Sequence, residues 1–355
     1  MHLRTYPLSL SVPSLGHTVL RLLLTRNPAR SLHLKSPPAG SGNYVNLCTP
    51  SQTYFLRQVQ SSNSIFLLRP TEWVEHRADG DGDGYGNGVE EVKYDAVTAV
   101  GLCKYTLELQ GIKDVEGKVL EFMRGSVRVY DLADMEADAG GMDVDVDGAT
   151  GSKEEKDRVL SRFFADTPFS PVECERAWTD ICGFVHAAKG TSELVCWEAT
   201  ARVKLAVWKK IVEGALLEGI DLGKQFMTRD LWRTVDADGY GESGIAPFPR
   251  GLFDAVVRRL VEGSTGVYED VKCEFLWDFF KVYVLIREIL GTNFDGEKVI
   301  SWVGQVYLEA TAPTPASGIS QSEYLAGWKD LLPERLREEA SLDKVKVRFD
   351  GIPLK

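Results

Sequence analysis

Two acidic stretches have the spacing of a calcium-binding loop. Residues 79–90 and 143–154 both follow the pattern Asp-x-Asp-x-Asp-Gly-x5-Glu, beginning at Asp79 and Asp143. Carboxylates at alternate positions, with a Glu at the twelfth, can enclose one hard cation such as Ca²⁺. A calcium-binding regulatory protein is therefore one function that these residues permit.

The surroundings of the two loops favour a different interpretation. A loop of this type needs amphipathic flanking helices and usually an apolar residue at its eighth position, where this chain has Gly86 and Thr150. Gly140 and Gly141 lie where an entering helix should run. Because an acidic low-complexity insertion produces the same spacing by composition alone, we expect no bound metal and keep calcium binding as the alternative.

Few residues are suited to catalysis. The chain has five histidines, and its six cysteines form no Cys-x-x-Cys pair, which favours reduced thiols in a cytosolic or nuclear protein. The motifs of serine hydrolases, zinc proteases and nucleotide-binding proteins do not occur. Cys182 and His186 are four residues apart, which is typical of packing neighbours on one helix. We expect a protein that is not an enzyme and has no cofactor.

Basic side chains in the second half of the chain could neutralise phosphates. This half is net acidic, so a nucleic-acid surface would be a local stripe, and the alternative is that the charges only solvate helix faces. The candidate DNA-binding residues are Lys204, Lys209, Lys210, Arg229, Arg233, Arg258, Arg259, Lys344, Lys346 and Arg348.

The overall composition is that of a soluble globular protein. Its 355 residues are 44% hydrophobic and 26% charged, which leaves room for two or three domains. No stretch approaches the roughly 20 apolar residues of a transmembrane helix. The net charge of −11 conceals an asymmetry, because residues 1–71 contain no acidic side chain and residues 72–157 are strongly acidic. Such shifts predict segments of different kinds.

The first 42 residues are rich in Ser, Pro, Arg and Leu and contain no acidic residue. This is the composition of a mitochondrial transit peptide. The alternative is a variable N-terminal extension whose Leu20–Leu24 stretch docks onto the following domain, and the family resemblance described below favours this alternative.

Strand patterns dominate the region that follows. Short runs rich in apolar, β-branched and aromatic residues predict strands at 45–48, 54–59, 65–68, 96–109 and 127–130. Residues 49–52 and 61–64 are of types that favour turns, and Pro70 should end the third strand. Several short strands separated by turns predict a small antiparallel sheet or barrel, which acidic tracts interrupt at 79–88 and 134–151.

Helical patterns begin at Lys153. Ser170–Glu173 forms a capping box with proline at the first helical position, which predicts a helix that continues through Phe184. Further predicted helices cover 192–219, 227–235, 248–262, 270–290, 295–310 and 320–339. The helix at 270–290 is apolar nearly all round, and the alternation at 344–349 predicts a strand with a basic face.

Two motifs resemble those of a known family. Leu47-Cys48-Thr49, the Thr-Tyr-x-Leu-Arg-x-Val run at 53–59 and Ser62-Asn63-Ser64 resemble the N-terminal strands of the sister chromatid cohesion protein of the Dcc family. The segment 167–178 is similar to the start of that family's helical half. The resemblance covers roughly residues 30–345. Members are accessory subunits of the alternative, chromosome-transmission-fidelity form of the replication factor C clamp loader.

The resemblance implies an α+β fold. A small antiparallel β-barrel segment, part of a barrel module shared between chains, would precede tandem helical winged-helix domains. The implied division is a variable extension at 1–42, a partner-binding β-barrel domain at 43–152, winged helices at 153–245 and 246–312, and a partial third one at 313–355. Residues 19–28 depart from the family's first segment, and the chain ends before its last wing and helix.

The resemblance also implies partners. The β region would join the small subunit and the C-terminal tail of the large ATPase subunit, and this module would dock onto the catalytic subunit of DNA polymerase epsilon. The helical half would contact DNA and the polymerase in the nucleus, while other subunits hydrolyse ATP and handle the sliding clamp PCNA. No membrane partner is expected. The candidate partner-binding residues are Val45, Leu47, Tyr54, Leu56, Arg57, Val59, Asn63, Ile65 and Leu67.

Overall fold

A computed structural model describes residues 32–36, 45–78, 89–140, 151–188, 191–237, 248–261, 291–314 and 317–345. These residues form a mixed α+β protein with two sheets. The strands of the first sheet are β1 (His33–Lys35), β2 (Val45–Cys48), β3 (Thr53–Ala78) and β4 (Val89–Gly111).

The first sheet is antiparallel throughout and has the order β1-β2-β3-β4. β2 pairs with β3 only from Thr53 to Leu56, and β3 and β4 then continue together as a long two-stranded ribbon. Neither sheet closes into a barrel within the described part of the chain. The sequence prediction of an antiparallel sheet is confirmed, and the barrel is not seen.

The predicted short strands merge into one long hairpin. β3 runs through residues 61–64, where a turn was predicted, and through Pro70, where the strand was predicted to end. The pairing shifts between Gln60 and Ile65, so the extra residues are accommodated as an irregularity in the ladder rather than as a turn. Proline is tolerated in a strand when its nitrogen faces an unpaired edge, which explains why Pro70 does not end β3.

The second sheet belongs to the helical body. It contains β5 (Arg128–Tyr130), β6 (Phe184–Ala187) and β7 (Leu194–Ala199) in the order β5-β7-β6, with β5 parallel to β7 and β6 antiparallel to it. Helix α1 (Val115–Ser126) precedes this sheet. The segment 115–130 therefore packs with the helical body, although the sequence division placed it in the β domain that ends at residue 152.

Three of the helices in the described ranges begin at a serine capping box, in which the serine accepts from the third helical N–H and a glutamate returns the contact. These serines are Ser152, Ser170 and Ser320. The α-helices that follow α1 in the described ranges are α2 (Leu132–Gly140), α3 (Lys153–Asp166), α4 (Pro171–Asp180), α5 (Ala201–Leu217), α6 (Thr228–Ala237), α7 (Arg250–Leu260), α8 (Gly296–Thr311), α9 (Gln321–Asp330) and α10 (Glu334–Arg337). The three serines cap α3, α4 and α9.

Two predicted helices were too long. α4 ends at Asp180 because Cys182 adopts a left-handed conformation with φ of 54°, and Phe184 then begins a strand. The predicted helix at 192–219 starts as strand β7 and becomes helical only at Ala201.

The described residues include only part of the predicted C-terminal elements. Pro333 separates α9 from α10 inside the predicted helix at 320–339. The predicted helix at 270–290 lies outside the described residues, and so does the predicted strand at 344–349 from residue 346 onwards. Residues 342–344 form a 3-10 turn.

The helical body contains two hydrophobic clusters. The larger one extends from Tyr130 through Trp208 and Phe253 to Trp328. The smaller one joins Met123 of α1 to the aromatic residues around α4. In the parts of the chain that the structure describes, no helix combines the length and the apolar character needed to cross a membrane.

Candidate partner-binding sheet

One face of the first sheet, which we call the inner face, is fastened to the last turn of α3 and to the loop before α4. Lys35 Nζ donates hydrogen bonds to the carbonyl oxygens of Phe164 (3.1 Å) and Phe169 (2.9 Å). Asn46 Nδ2 donates to the carbonyl of Pro168 at 2.7 Å, and its side chain is buried. Side chains of the strands therefore satisfy the carbonyls of Pro168 and Phe169. Lys35 adds a second donor to the Phe164 carbonyl, which also accepts from the Thr167 hydroxyl.

The buried Thr53 and Ser170 and the half-buried Glu173 form a hydrogen-bonded cluster at the centre of this contact. The Thr53 hydroxyl donates to Glu173 Oε2 at 2.5 Å and accepts from the Ser170 backbone N–H at 2.7 Å. The Thr53 backbone N–H donates to Glu173 Oε1 at 3.1 Å. Ser170 and Glu173 complete the capping box of α4. The Glu173 carboxylate therefore completes the N-terminal cap of α4 and also accepts hydrogen bonds from β3.

The two motifs that suggested a family meet at this cluster. Cys48, from the first motif, donates its thiol to the Pro168 carbonyl at 3.6 Å. Cys174, from the second, lies 2.9 Å from the hydroxyl of Thr167. Burial raises the pKa of the Cys48 thiol and raises that of Cys174 to about 12, so both remain protonated near neutral pH. They act as packing and hydrogen-bonding groups, and they are not reactive nucleophiles.

The opposite face of the sheet, which we call the outer face, is apolar. Strand pairing aligns Val45 with Leu56 and Leu56 with Leu109, and paired residues point to the same side. By the same alternation Leu34 and Leu107 belong to this side. Leu34 is 68% exposed, Leu107 57% and Val45 41%, so one face is anchored while the other carries exposed aliphatic side chains.

The structure separates the sequence-predicted partner-binding residues into groups. Val45, Leu47, Tyr54 and Leu56 lie on the outer face, where Val45 is exposed, Tyr54 and Leu56 are half-buried and Leu47 is buried. Arg57 and Val59 alternate to the opposite side of β3, and Arg57 is exposed there. Asn63, Ile65 and Leu67 lie in the ribbon, for which only the strand pairing is described.

Sequence reasoning missed residues on β4. Tyr94 is 37% exposed, Val97 64% and Leu107 57%, and all three lie on the strand that pairs with β3. The run at 96–109 was assigned as a strand, but its position at the end of the sheet order was not apparent from the sequence. Large apolar side chains that stay exposed along an edge strand indicate a surface for another chain.

Lys204, a candidate DNA-binding residue, is buried in the helical body. It is only 5% exposed, and its Nζ lies 3.1 Å from Glu198 Oε1 within the helical body. Arg124 Nε also contacts Glu198, at 3.5 Å. A buried ammonium with a carboxylate partner holds α5 against β7 and is not available to a phosphate.

Arg258 and Arg259 hold the turn between α4 and β6. Arg258 Nη2 donates to the Gly183 carbonyl at 3.0 Å, and Arg259 Nε lies 3.3 Å from Asp180 Oδ1. The side chain of Arg259 is 23% exposed. Both arginines therefore stabilise the turn that connects α4 to β6.

The other candidate DNA-binding residues are more open to solvent. Lys209 is exposed, and Lys210 lies 3.0 Å from Glu213. Arg229 and Arg233 flank Asp230 at 3.5 Å and 3.4 Å. Lys344 Nζ lies 3.4 Å from Glu339 Oε2, whereas Lys346 and Arg348 lie outside the described residues.

Cys182 and His186 do not share a helix as predicted. Cys182 lies in the turn after α4, and His186 in β6 has its Nε2 3.2 Å from Asp138 Oδ2, which also accepts from the Tyr130 hydroxyl at 2.6 Å. Within the described ranges, no group of His, Cys, Asp and Glu residues could hold a metal ion. Most of the two calcium-like loops, at 79–88 and 143–150, falls outside those ranges.

The described residues define a mixed α+β protein in which a sheet with an exposed apolar face is fastened to a helical body. The family model for sister chromatid cohesion protein Dcc1 matches residues 13–348, nearly the whole chain. The chain therefore belongs to this family, and the family places its role in sister chromatid cohesion. A search of the curated proteins finds no match.

We predict that Thr53→Val loosens the attachment of the sheet. The change keeps the side-chain shape but removes the hydroxyl bonded to Glu173 and Ser170, which should lower the free energy of unfolding by about 2 kcal/mol. Urea unfolding measures the change. Thr71→Val is the matched control, since Thr71 is an exposed residue of the same strand, and equal effects of the two variants would contradict the proposed attachment.

We also predict that Lys204→Met destabilises the protein by about 3 kcal/mol, because it leaves the Glu198 carboxylate with only the longer contact to Arg124. Lys209→Met, at an exposed position of the same helix, should change the unfolding midpoint little. Thermal and urea unfolding of the two variants provide the comparison. Unchanged stability of Lys204→Met would show that the buried ion pair is not structurally important.

Proposed function

We propose that this chain is a non-catalytic accessory subunit of the alternative clamp loader, acting in DNA replication and sister chromatid cohesion in the nucleus. Membership of the Dcc1 family supports the role in cohesion. The first sheet supports the role in assembly, since its geometry suits binding of another chain better than it suits catalysis.

The observation that carries the proposal is the exposed apolar outer face of a sheet whose inner face is anchored. Burial of Leu34, Val45 and Leu107 against another chain would remove aliphatic surface from water. Each such side chain contributes about 1.5–3 kcal/mol when fully buried. Beyond Leu56 the two-stranded ribbon is paired with no third described strand, and isolated hairpins are marginally stable in water. Additional strands from a partner would stabilise it.

The partners we propose are those of the family. The small subunit and the C-terminal tail of the large ATPase subunit would complete a barrel with strands β1 to β4. This module would dock onto the catalytic subunit of DNA polymerase epsilon, and the assembled loader would act on the sliding clamp PCNA through its ATPase subunits. The chain itself would bind and position the partner subunits and would not hydrolyse ATP.

We further propose that the helical body contacts DNA and the polymerase through winged-helix domains. The order α3, α4, β6, β7 places two helices before a hairpin, an order that is compatible with one such domain. Lys209 and Arg233 are exposed on neighbouring helices α5 and α6, so both are accessible to phosphates. Our proposed surface leaves out Lys204, Arg258 and Arg259, because each of them already has a partner within the helical body.

Leu107→Asp should weaken assembly without unfolding the chain. Leu107 is more than half exposed, so the change costs the isolated chain little but places a carboxylate where a partner would bury a leucine. We expect about a tenfold to hundredfold loss of affinity for the co-expressed small subunit and ATPase tail, measured by co-purification and titration.

Leu216→Asp is the matched control for this change, because Leu216 is 81% exposed on the helical body. This variant should assemble normally. Equal binding by Leu107→Asp and the wild-type chain would contradict the assignment of the outer face as the assembly surface.

Lys209→Glu should weaken DNA binding and reduce its dependence on salt. Loss of one phosphate contact lowers the slope of log affinity against log salt by about 0.9 for duplex DNA. Fluorescence anisotropy with a duplex at several salt concentrations measures the slope. Lys113→Glu, an exposed lysine between β4 and α1, is the control, and the DNA proposal fails for α5 if both variants keep the wild-type slope.

A further inference from the structure

The position of Pro70 establishes which backbone groups of the ribbon face outward. Pairs in an antiparallel ladder alternate between those that exchange both N–H···O bonds and those that exchange none. Pro70 is paired with Val97 and has no N–H, so this pair must be of the second kind. Its nitrogen therefore faces the outer edge of β3, and the N–H and C=O of Val97 face the outer edge of β4.

The continuous register extends this assignment along the ribbon. Pairing proceeds without a shift from Leu68 opposite Ala99 to Ala78 opposite Val89. Two residues from the Pro70–Val97 pair, Glu72 is opposite Asp95, and the alternation gives this pair the same character. The N–H groups of Asp95 and Val97 thus point away from β3, and that of Glu72 points away from β4.

The two edges of the ribbon differ in what they offer to a further strand. Along the β3 edge, Pro70 removes one donor and residues 61–64 disturb the ladder. Along the β4 edge, the segment Val89–Ala99 is regular and contains no proline. β4 is also the last strand in the order of the described sheet, whereas β2 already pairs with residues 53–56 of β3. The sheet can therefore extend more readily from β4.

The residues of β4 indicate the chemistry of the added strand. Tyr94 and Val97 are exposed on opposite faces of the ribbon, so the added strand needs apolar side chains on both of its faces. The sequence 89–99 contains three acidic residues and one lysine. A second copy of this chain would bring the same negative charge to the edge, whereas a basic strand would complement it.

We propose that the outer edge of β4, over Val89–Ala99, receives an extended, net basic strand from a different chain, and that the outer edge of β3 does not. This inference rests on the proposed assembly function and specifies the edge and the kind of strand. The added strand would exchange backbone hydrogen bonds with Lys93, Asp95 and Val97 and would cover the side chains of Tyr94 and Val97.

A matched pair of proline substitutions tests the edge. Asp95→Pro removes an outward N–H from β4 and Glu72→Pro removes one from β3, at opposed positions that both lose a carboxylate. Neither change removes a hydrogen bond within the ribbon. With the co-expressed small subunit and ATPase tail as the probe, Asp95→Pro should reduce affinity by about tenfold, and Glu72→Pro should leave it within about twofold of wild type. Asp95→Asn separates the loss of the carboxylate from the loss of the N–H.

Hydrogen exchange of the wild-type chain gives a second test that does not depend on how the variants fold. Formation of the complex should slow exchange of the Asp95 and Val97 amides and leave the Glu72 amide unchanged. Protection of Glu72 alone, or a larger loss with Glu72→Pro than with Asp95→Pro, would overturn the edge assignment. Full protection of Asp95 in the isolated chain would also overturn it, because the chain would then cover its own edge.

The outcomes distinguish this inference from the proposed function. If Leu107→Asp abolishes assembly while both proline variants bind normally and no β4 amide is protected, the assembly function stands and the β4 edge is not the receptor. If the wild-type chain binds neither the small subunit nor the ATPase tail, the proposed function fails and the inference fails with it.

Discussion

The hydrogen bonds of Glu173 with Thr53 and Ser170 join the two parts of this protein. The half-buried Glu173 carboxylate accepts from the backbone N–H and the hydroxyl of Thr53 and from the hydroxyl of Ser170. Because these donors come from both a strand and a helix cap, displacement of the strand would remove the two hydrogen bonds that Thr53 supplies. The orientation of the sheet relative to α4 follows from this requirement.

This attachment explains why the two faces of the first sheet differ. The inner face carries the polar side chains of Lys35 and Asn46, which donate to carbonyls of residues 164–169, together with the apolar Cys48 and Phe55. Alternation places other apolar side chains on the opposite side, where Leu47 is buried but Leu34 and Val45 remain exposed. The inner face is therefore held against the helical body, while part of the outer face stays open to solvent.

Local chemistry made part of this structure predictable. The capping box at Ser170 and Glu173 identified the start of α4, and alternation identified β2 and the base of β3. The end of α4 was not predictable, because the left-handed backbone at Cys182 carries no sequence signal comparable to glycine.

Long-range contacts were less accessible to sequence reasoning. Lys204 was expected to face solvent, because its contact with Glu198 exists only in the tertiary structure and has no sequence signal. Since the pairing partner of β3 was unknown, Val97 and Leu107 could not be recognised as edge residues. A regular, apolar edge strand is an aggregation hazard in an isolated protein, and charge along an edge limits it. The exposed carboxylate of Asp95 on β4 suits this role, because it would oppose pairing of β4 with a second copy of the chain and favour a basic strand.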